Sequence, residues 1–253
     1  MMGRDSKSGG YAKAAEFVAS YFKQHQIKPF YPAFRDTLTT NGLMTYNLVG
    51  HLGKYNSNQK TILIGAHLDH IGVIEAAGDS IFNGAYDNAS GATAVLQIGC
   101  FLAQRQWNQN VLLALFADEE KGLLGSKYYT DNPVYPLEDT VANLNIDMIG
   151  RTDPKRKKRN RNYIYLIGSD KLSKELHEIS EMANKSYSNL ELDYTYNDEK
   201  DPNRFYYRSD HYNFAKNNIP VIFYFNGTHE DYHKATDTAD KIQYDLLESR
   251  ARL

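Results

Sequence analysis

Residues 111–126 read VLLALFADEEKGLLGS: five apolar residues, Val111 to Leu115, run towards three carboxylates, and a glycine follows. An apolar run of this length predicts a strand buried on both faces, as in a parallel sheet. Asp118, Glu119 and Glu120 then stand where that strand leaves the core, and Gly122 lets the chain turn into a helix behind them. Asp118 reads as a solvated or capping carboxylate.

Outward from this stretch, strand-like runs fall at Thr45 to Leu52, Thr61 to Ala66, Val111 to Ala117, Val141 to Ile149, Tyr163 to Ile167 and Val221 to Phe225. Helical patterns occupy Tyr11 to His25, Ser90 to Gln104, Leu123 to Thr130 and Lys171 to Tyr187, and a last helix starts around Asp245, shortly before Leu253. In the first of these, Ala15, Val18 and Phe22 keep helical spacing and Pro29 follows its end. The alternation predicts an α/β fold: one domain over residues 1–253, a three-layer sandwich whose mixed, mostly parallel central sheet carries helices on both faces. No Pro/Gly/Ser-rich linker divides the 253 residues, and the length suffices for a sizeable core.

A formal charge of -2 gives no overall bias towards nucleic acid or an acidic membrane. The basic run Lys155 to Arg159 lies between two strand-like segments and reads as a solvated loop. The single cysteine, Cys100, cannot form an internal disulfide and sits among Ile98, Phe101 and Leu102 as a small buried hydrophobe would. No run approaches a membrane span, and the opening MMGRDSKSGG lacks the apolar segment of an export signal. Glycosylation triplets begin at Asn88, Asn184 and Asn226, as they do by chance in many chains.

Ligands of such sheets bind beyond the carboxyl ends of the strands. Polar groups stand at four of those ends: His67 and Asp69, the acidic cluster, Asp147, and His233 in the loop after the last strand. Asp87 precedes the Ser90 helix in GAYDNASG. Imidazole and carboxylate are zinc ligands, and two imidazoles with three carboxylates suffice for two ions if one carboxylate bridges. Metals held about 3.5–4 Å apart can share and activate a water, and a further carboxylate is then needed to take its proton. Adjacent Glu119 and Glu120 can serve metal and water separately, while Asp69 can set the tautomer of His67.

The set GAHLDHIG (65–72), GDSIFNGAYDNASG (78–91), FADEEKGLLGS (116–126), NIDMIG (145–150), RSDHYNFAKNNIPVIFYF (208–225) and HEDYHKATDTADKI (229–242) closely resembles the M28 family of zinc aminopeptidases, in the family's order, and residues 3–22 resemble its first helix. The resemblance implies one zinc on His67, Asp87 and Asp147 and a second on Asp87, Glu120 and His233, with Asp87 bridging and no other cofactor. It implies that Glu119 is the general base for a zinc-bridged hydroxide, that Asp69 orients His67, and that Tyr232 stabilises the oxyanion. The implied substrate is a peptide with a free amino terminus; a nucleic-acid partner and a membrane span are not expected, and the oligomeric state is open. Family habit implies a periplasmic or secreted bacterial enzyme.

His70 and His211 are expected to have structural or substrate-side roles, and Arg208, Ser209 and Asp210 to form a loop near the substrate. The chain departs from many relatives in carrying Tyr86-Asp87 where they have two aspartates, and in ending soon after its last helix begins. Phe205 and the tyrosines between Tyr194 and Tyr212 are candidates to line a pocket for apolar or aromatic side chains. Two rival readings share the frame: a single-zinc glutaminyl cyclase, from which GAHLDHIG and DNASG point away, and a receptor-like protein that has lost catalysis, although here every ligand type and the base are present. Carboxypeptidase action, known in a branch of the wider family, is a further alternative.

Overall fold

The computed structural model describes residues 2–75, 79–157 and 160–253. Gly78 of the second motif, and Lys158 and Arg159 of the basic run, lie outside them. The strands are β1 (Lys28–Pro29), β2 (Arg35–Thr40), β3 (Leu43–Leu52), β4 (Thr61–His67), β5 (Gly72–Val73), β6 (Ile81–Phe82), β7 (Asn110–Phe116), β8 (Thr140–Ile146), β9 (Tyr163–Ile167), β10 (Glu191–Asp193) and β11 (Val221–Phe225). The helices are α1 (Gly9–Gln24), α2 (Ser90–Ala103), α3 (Leu124–Asp131), α4 (Lys174–Ala183), α5 (His211–Ala215) and α6 (Tyr244–Ala251).

Nine strands form one sheet in the order β1-β3-β7-β4-β8-β11-β9-β10, with β2 paired to β3; β5 and β6 make a separate ribbon. The central four, β7, β4, β8 and β11, run parallel, and antiparallel pairings flank them at β3 and β9. All four central strands therefore deliver their carboxyl ends to one edge.

Strand β7 shows why its sequence is apolar throughout. Val111, Leu113, Leu115 and Ala117 enter the core under α1, α2 and α6, whereas Leu112, Ala114 and Phe116 enter a second core with Tyr129 of α3 and Phe214 of α5. Period-two alternation thus serves two buried faces at once. Ser8 caps α1 by accepting from the Tyr11 amide, and the helix buries Tyr11, Ala14, Ala15, Val18 and Phe22.

Several boundaries and environments differ from the sequence reading. β8 stops at Ile146 because Met148 takes a positive φ of 59° and gives its amide to the Asn88 side chain. α4 starts at Lys174 because Ser173 caps it, and its tail becomes a wide turn ending at Asn189, φ 56°. β2, RDTLTT, was hidden by polarity: as an edge strand it buries Asp36, Leu38 and Thr40 on one face. In the basic run, Arg156 is no solvated loop residue. It pairs with Glu191 and Asp193 on β10 and lies over the Tyr163 ring. Cys100 is only half-buried, its Sγ 3.1 Å from His25 Nδ1, and the three glycosylation-type asparagines are all buried.

Candidate metal centre

Each predicted ligand stands where a central element ends. His67 is the last residue of β4; Asp147 follows β8 directly, its amide donating to Tyr224 O. Glu119 and Glu120 lie in the loop between β7 and α3, where Gly122, at φ 107°, turns the chain as its lack of a side chain allows. His233 lies in the loop after β11. Asp87 sits in the irregular turn before α2, where the Asp237 carboxylate accepts from the amides of Tyr86 and Asp87; the Asp87–Asn88 peptide is cis.

Two groups of side chains meet on Asp87. Its Oδ1 is 3.2 Å from His67 Nε2, which is 3.3 Å from Asp147 Oδ1. Its Oδ2 is 3.1 Å from His233 Nε2, which is 3.1 Å from Glu120 Oε2. Bonds of about 2.0–2.1 Å to a tetrahedral zinc separate ligand atoms by about 3.3 Å. The spacing fits a cation in each group. His233 Nε2, moreover, is buried and makes no hydrogen bond of acceptable geometry among the described residues, despite the two oxygens beside it. A buried imidazole nitrogen left without a hydrogen bond between two carboxylates is what a metal ligand presents.

Electrostatics point the same way. Burial alone would lower the pKa of His67, but Glu119 and Asp147 outweigh it and hold the imidazole well above its usual range. Burial would lower His233 as well, but the carboxylates of Asp87 and Glu120, each 3.1 Å from its Nε2, outweigh it and raise the imidazole to about 10. Asp87 is lowered by the two imidazoles against the effect of its own burial. Glu119 is raised well above the carboxylate range, first by burial and then, against His67, by Asp147, Asp210 and Glu120. So much negative charge in one buried place calls for compensating positive charge, as protons or as cations.

Glu119 lies near the first group, its Oε2 4.0 Å from His67 Nε2. Asp69 does two things: its main-chain oxygen lies 3.2 Å from His67 Nδ1, and its carboxylate accepts from the amides of Glu119 and Glu120. The carboxylate itself stands 3.7 Å from Nδ1. Tyr232 stacks on His233, with ring centres 3.8 Å apart, and its hydroxyl accepts from Arg208.

Other residues support the cluster, among them His70 and Ser209, which the sequence placed near the site without partners. His70, with Nδ1 2.7 Å from Glu120 Oε1, holds that carboxylate and could join Asp87 and Glu120 around a cation. Ser209 Oγ donates to Asp147 Oδ2 and accepts from Asn145. Arg4 is buried and donates to the carbonyls of Leu68, Asn83 and Gly84, tying two site loops to the residues before α1. Asp118 is fully buried rather than solvated: Ser6, Thr40 and Lys121 surround it, and its φ is 54°. It is an anchor for the loop that carries Glu119. Only its place beside those glutamates hinted at this. His211 lies away from the cluster, stacked on Phe223.

A narrow cleft, partly open to solvent, exposes this centre. Its walls include Met148, Phe205, Phe223, Phe225, Thr228, Arg208 and Tyr232. Of the predicted pocket aromatics only Phe205 lines it; Tyr196, Tyr206 and Tyr207 line a separate depression.

Fold and site together define a mixed α/β protein with a carboxylate-histidine centre at the ends of its parallel strands. Residues 47–253 match the sequence model of Peptidase family M28, and the chain belongs to that family. It is 30% identical over 208 residues to Leupeptin-inactivating enzyme 1 of Streptomyces exfoliatus, covering 81% of this chain and 41% of that one. The crystal structure of the LapA aminopeptidase of Legionella pneumophila matches with a TM-score of 0.75 at 20% identity, over 99% of this chain and 65% of that one. BSAP, a zinc aminopeptidase from Bacillus subtilis, matches with a TM-score of 0.65 at 22% identity, over 84% and 49%. The chain spans less than half the length of the curated relatives it matches.

Proposed function

We propose that residues 1–253 act as one catalytic domain that hydrolyses the amino-terminal residue from peptides, with two zinc ions in the centre. The two-sided Asp87 carboxylate carries this reading, with His67 and Asp147 at one oxygen and His233 and Glu120 at the other. His67, Asp87 and Asp147 would hold one ion, and Asp87, Glu120 and His233 the other. Zinc bound there supplies Lewis acidity, lowering the pKa of a water towards neutrality and polarising a carbonyl.

Glu119, which neither ligand set requires, takes the proton of the attacking water and returns it to the leaving amine. Asp69 O accepts from His67 Nδ1, which leaves Nε2 with a lone pair facing Asp87 and Asp147. The Tyr232 hydroxyl accepts from Arg208, so its own proton is free to donate to the developing oxyanion. The acidic floor attracts a protonated α-amine, which favours cleavage at a free amino terminus, and the apolar wall suits an apolar side chain.

The aminopeptidase names borne by relatives support this activity. Family habit supports a periplasmic or secreted site of action; no helix among the described residues is long and apolar enough to cross a membrane. Mass spectrometry of a peptide pool with free and acetylated amino termini, some led by Gln, tests the reading on zinc-loaded protein. Stepwise loss of amino-terminal residues from the free peptides alone is the expected result. Loss of ammonia confined to Gln-led peptides would make the protein a cyclase instead.

A further inference from the structure

His70 belongs to neither ligand set, yet its side chain is fully buried beside the second one. Its Nδ1 lies 2.7 Å from Glu120 Oε1 and 4.0 Å from Asp87 Oδ2. An ionised carboxylate only accepts, so the proton of the shorter contact sits on Nδ1. Nε2 is buried and makes no hydrogen bond among the described residues, which leaves Glu120 as the ring's one hydrogen-bond partner there. A packing role alone is met by an apolar ring, with no buried nitrogen left unpaired.

The distances separate a clamp from a ligand. Atoms bound to one tetrahedral zinc stand about 3.3 Å apart, close to the 3.1 Å between His233 Nε2 and each of Asp87 Oδ2 and Glu120 Oε2. The 2.7 Å contact of His70 is a charge-assisted hydrogen bond instead, and it falls on the other oxygen, Oε1. Glu120 therefore divides its oxygens between two imidazoles.

The ring that makes this division is itself confined. It lies so close to Gly84 that a Cβ there would come 2.5 Å from its Cγ and Cδ2. The His233 ring meets it edge-on, with centres 5.8 Å apart, and the His70 amide donates to Arg4 O. Arg4 in turn donates to the carbonyl of Gly84, so both sides of the slot are tied together.

We propose that His70 is a positioning residue for the second zinc, acting through Glu120: its Nδ1 proton occupies Oε1 and leaves Oε2 to the ion. This rests on the two-zinc reading above.

The test is the affinity of metal-stripped protein for each of its two zinc ions, read by competition with a chelating dye, in the native chain and in His70→Ala, His70→Asn and His70→Gln. Asparagine places an amide N–H where Nδ1 stands; glutamine places it one atom further out. His70→Ala and His70→Gln should each weaken one zinc about 10–100-fold and spare the other, whereas His70→Asn stays near the native values. A ring needed only for packing would be missed by all three variants alike. Two zinc ions held as tightly by His70→Ala as by the native chain, a loss shared equally by both ions, or a loss in His70→Asn as large as in His70→Gln overturns this proposal and leaves the two-zinc reading standing. A native chain that binds fewer than two zinc ions overturns both.

Discussion

At the scale of residues, the site separates two neighbouring glutamates by their surroundings. Glu120 lies within 3.1 Å of one imidazole nitrogen and 2.7 Å of another, whereas Glu119 is 4.0 Å from its nearest imidazole nitrogen and faces the cleft. Glu119→Gln keeps the shape and removes the proton acceptor. It should lower kcat by about 10²-fold or more while bound zinc, measured by atomic emission, stays unchanged. Full activity in that variant would remove Glu119 from the mechanism. These two glutamates were visible in sequence as residues after an apolar run. Their different surroundings come from distant residues, His70 and His233 beside Glu120 and His67 and Asp147 beside Glu119, and only packing shows them.

At the scale of elements, the centre depends on clasps between loops. The Asp69 carboxylate, just beyond β4, ties down the amides of Glu119 and Glu120 beyond β7, while its main chain orients His67. Asp69→Ala frees the glutamate loop, and zinc affinity should fall about 10–100-fold in a competition titration with a chelator. Behind that loop, Gly125 in the first turn of α3 lets the helix approach β7 closely. A Cβ there would come 2.2 Å from Ala117 O and 2.4 Å from the Asn47 amide oxygen. Gly125→Ala should cost about 1–3 kcal/mol in denaturant unfolding, because backbone rather than a flexible side chain must yield. A variant as stable as the parent would show that α3 can shift freely. The strands of the centre were legible because apolar runs and turn residues are local signals. β2 was not, since an edge strand of alternating threonines differs little from a loop in composition.

At the scale of the whole molecule, the two cores on either side of the sheet carry a site whose charge they do not neutralise. Zinc bound to the folded state alone stabilises it by mass action, about 4 kcal/mol at a thousandfold excess over Kd. For a chain of this size that corresponds to a Tm difference on the order of 10 °C. Chelation of zinc-loaded protein should lower Tm by that amount, and re-addition of zinc should restore it, as read by calorimetry. A Tm indifferent to zinc would mean that the cluster binds none.

The fold class, and which polar residues stand beyond the strand ends, were legible in the sequence alone, because a run buried on both faces must be apolar and whatever polar group follows it emerges at the sheet edge. His67, Glu119, Glu120 and Asp147 all obey that rule. The tertiary structure decided what local pattern does not contain. Asp118 is buried by Ser6 and Thr40, 112 and 78 residues away in the chain, and Arg4 reaches Gly84 across 80. Arg208 shares its cleft with carboxylates from the ends of β7 and β8 and from the turn before α2, which only the folded chain brings together. A side chain's partners are set by which distant elements pack beside it, and that is a property of the closed fold.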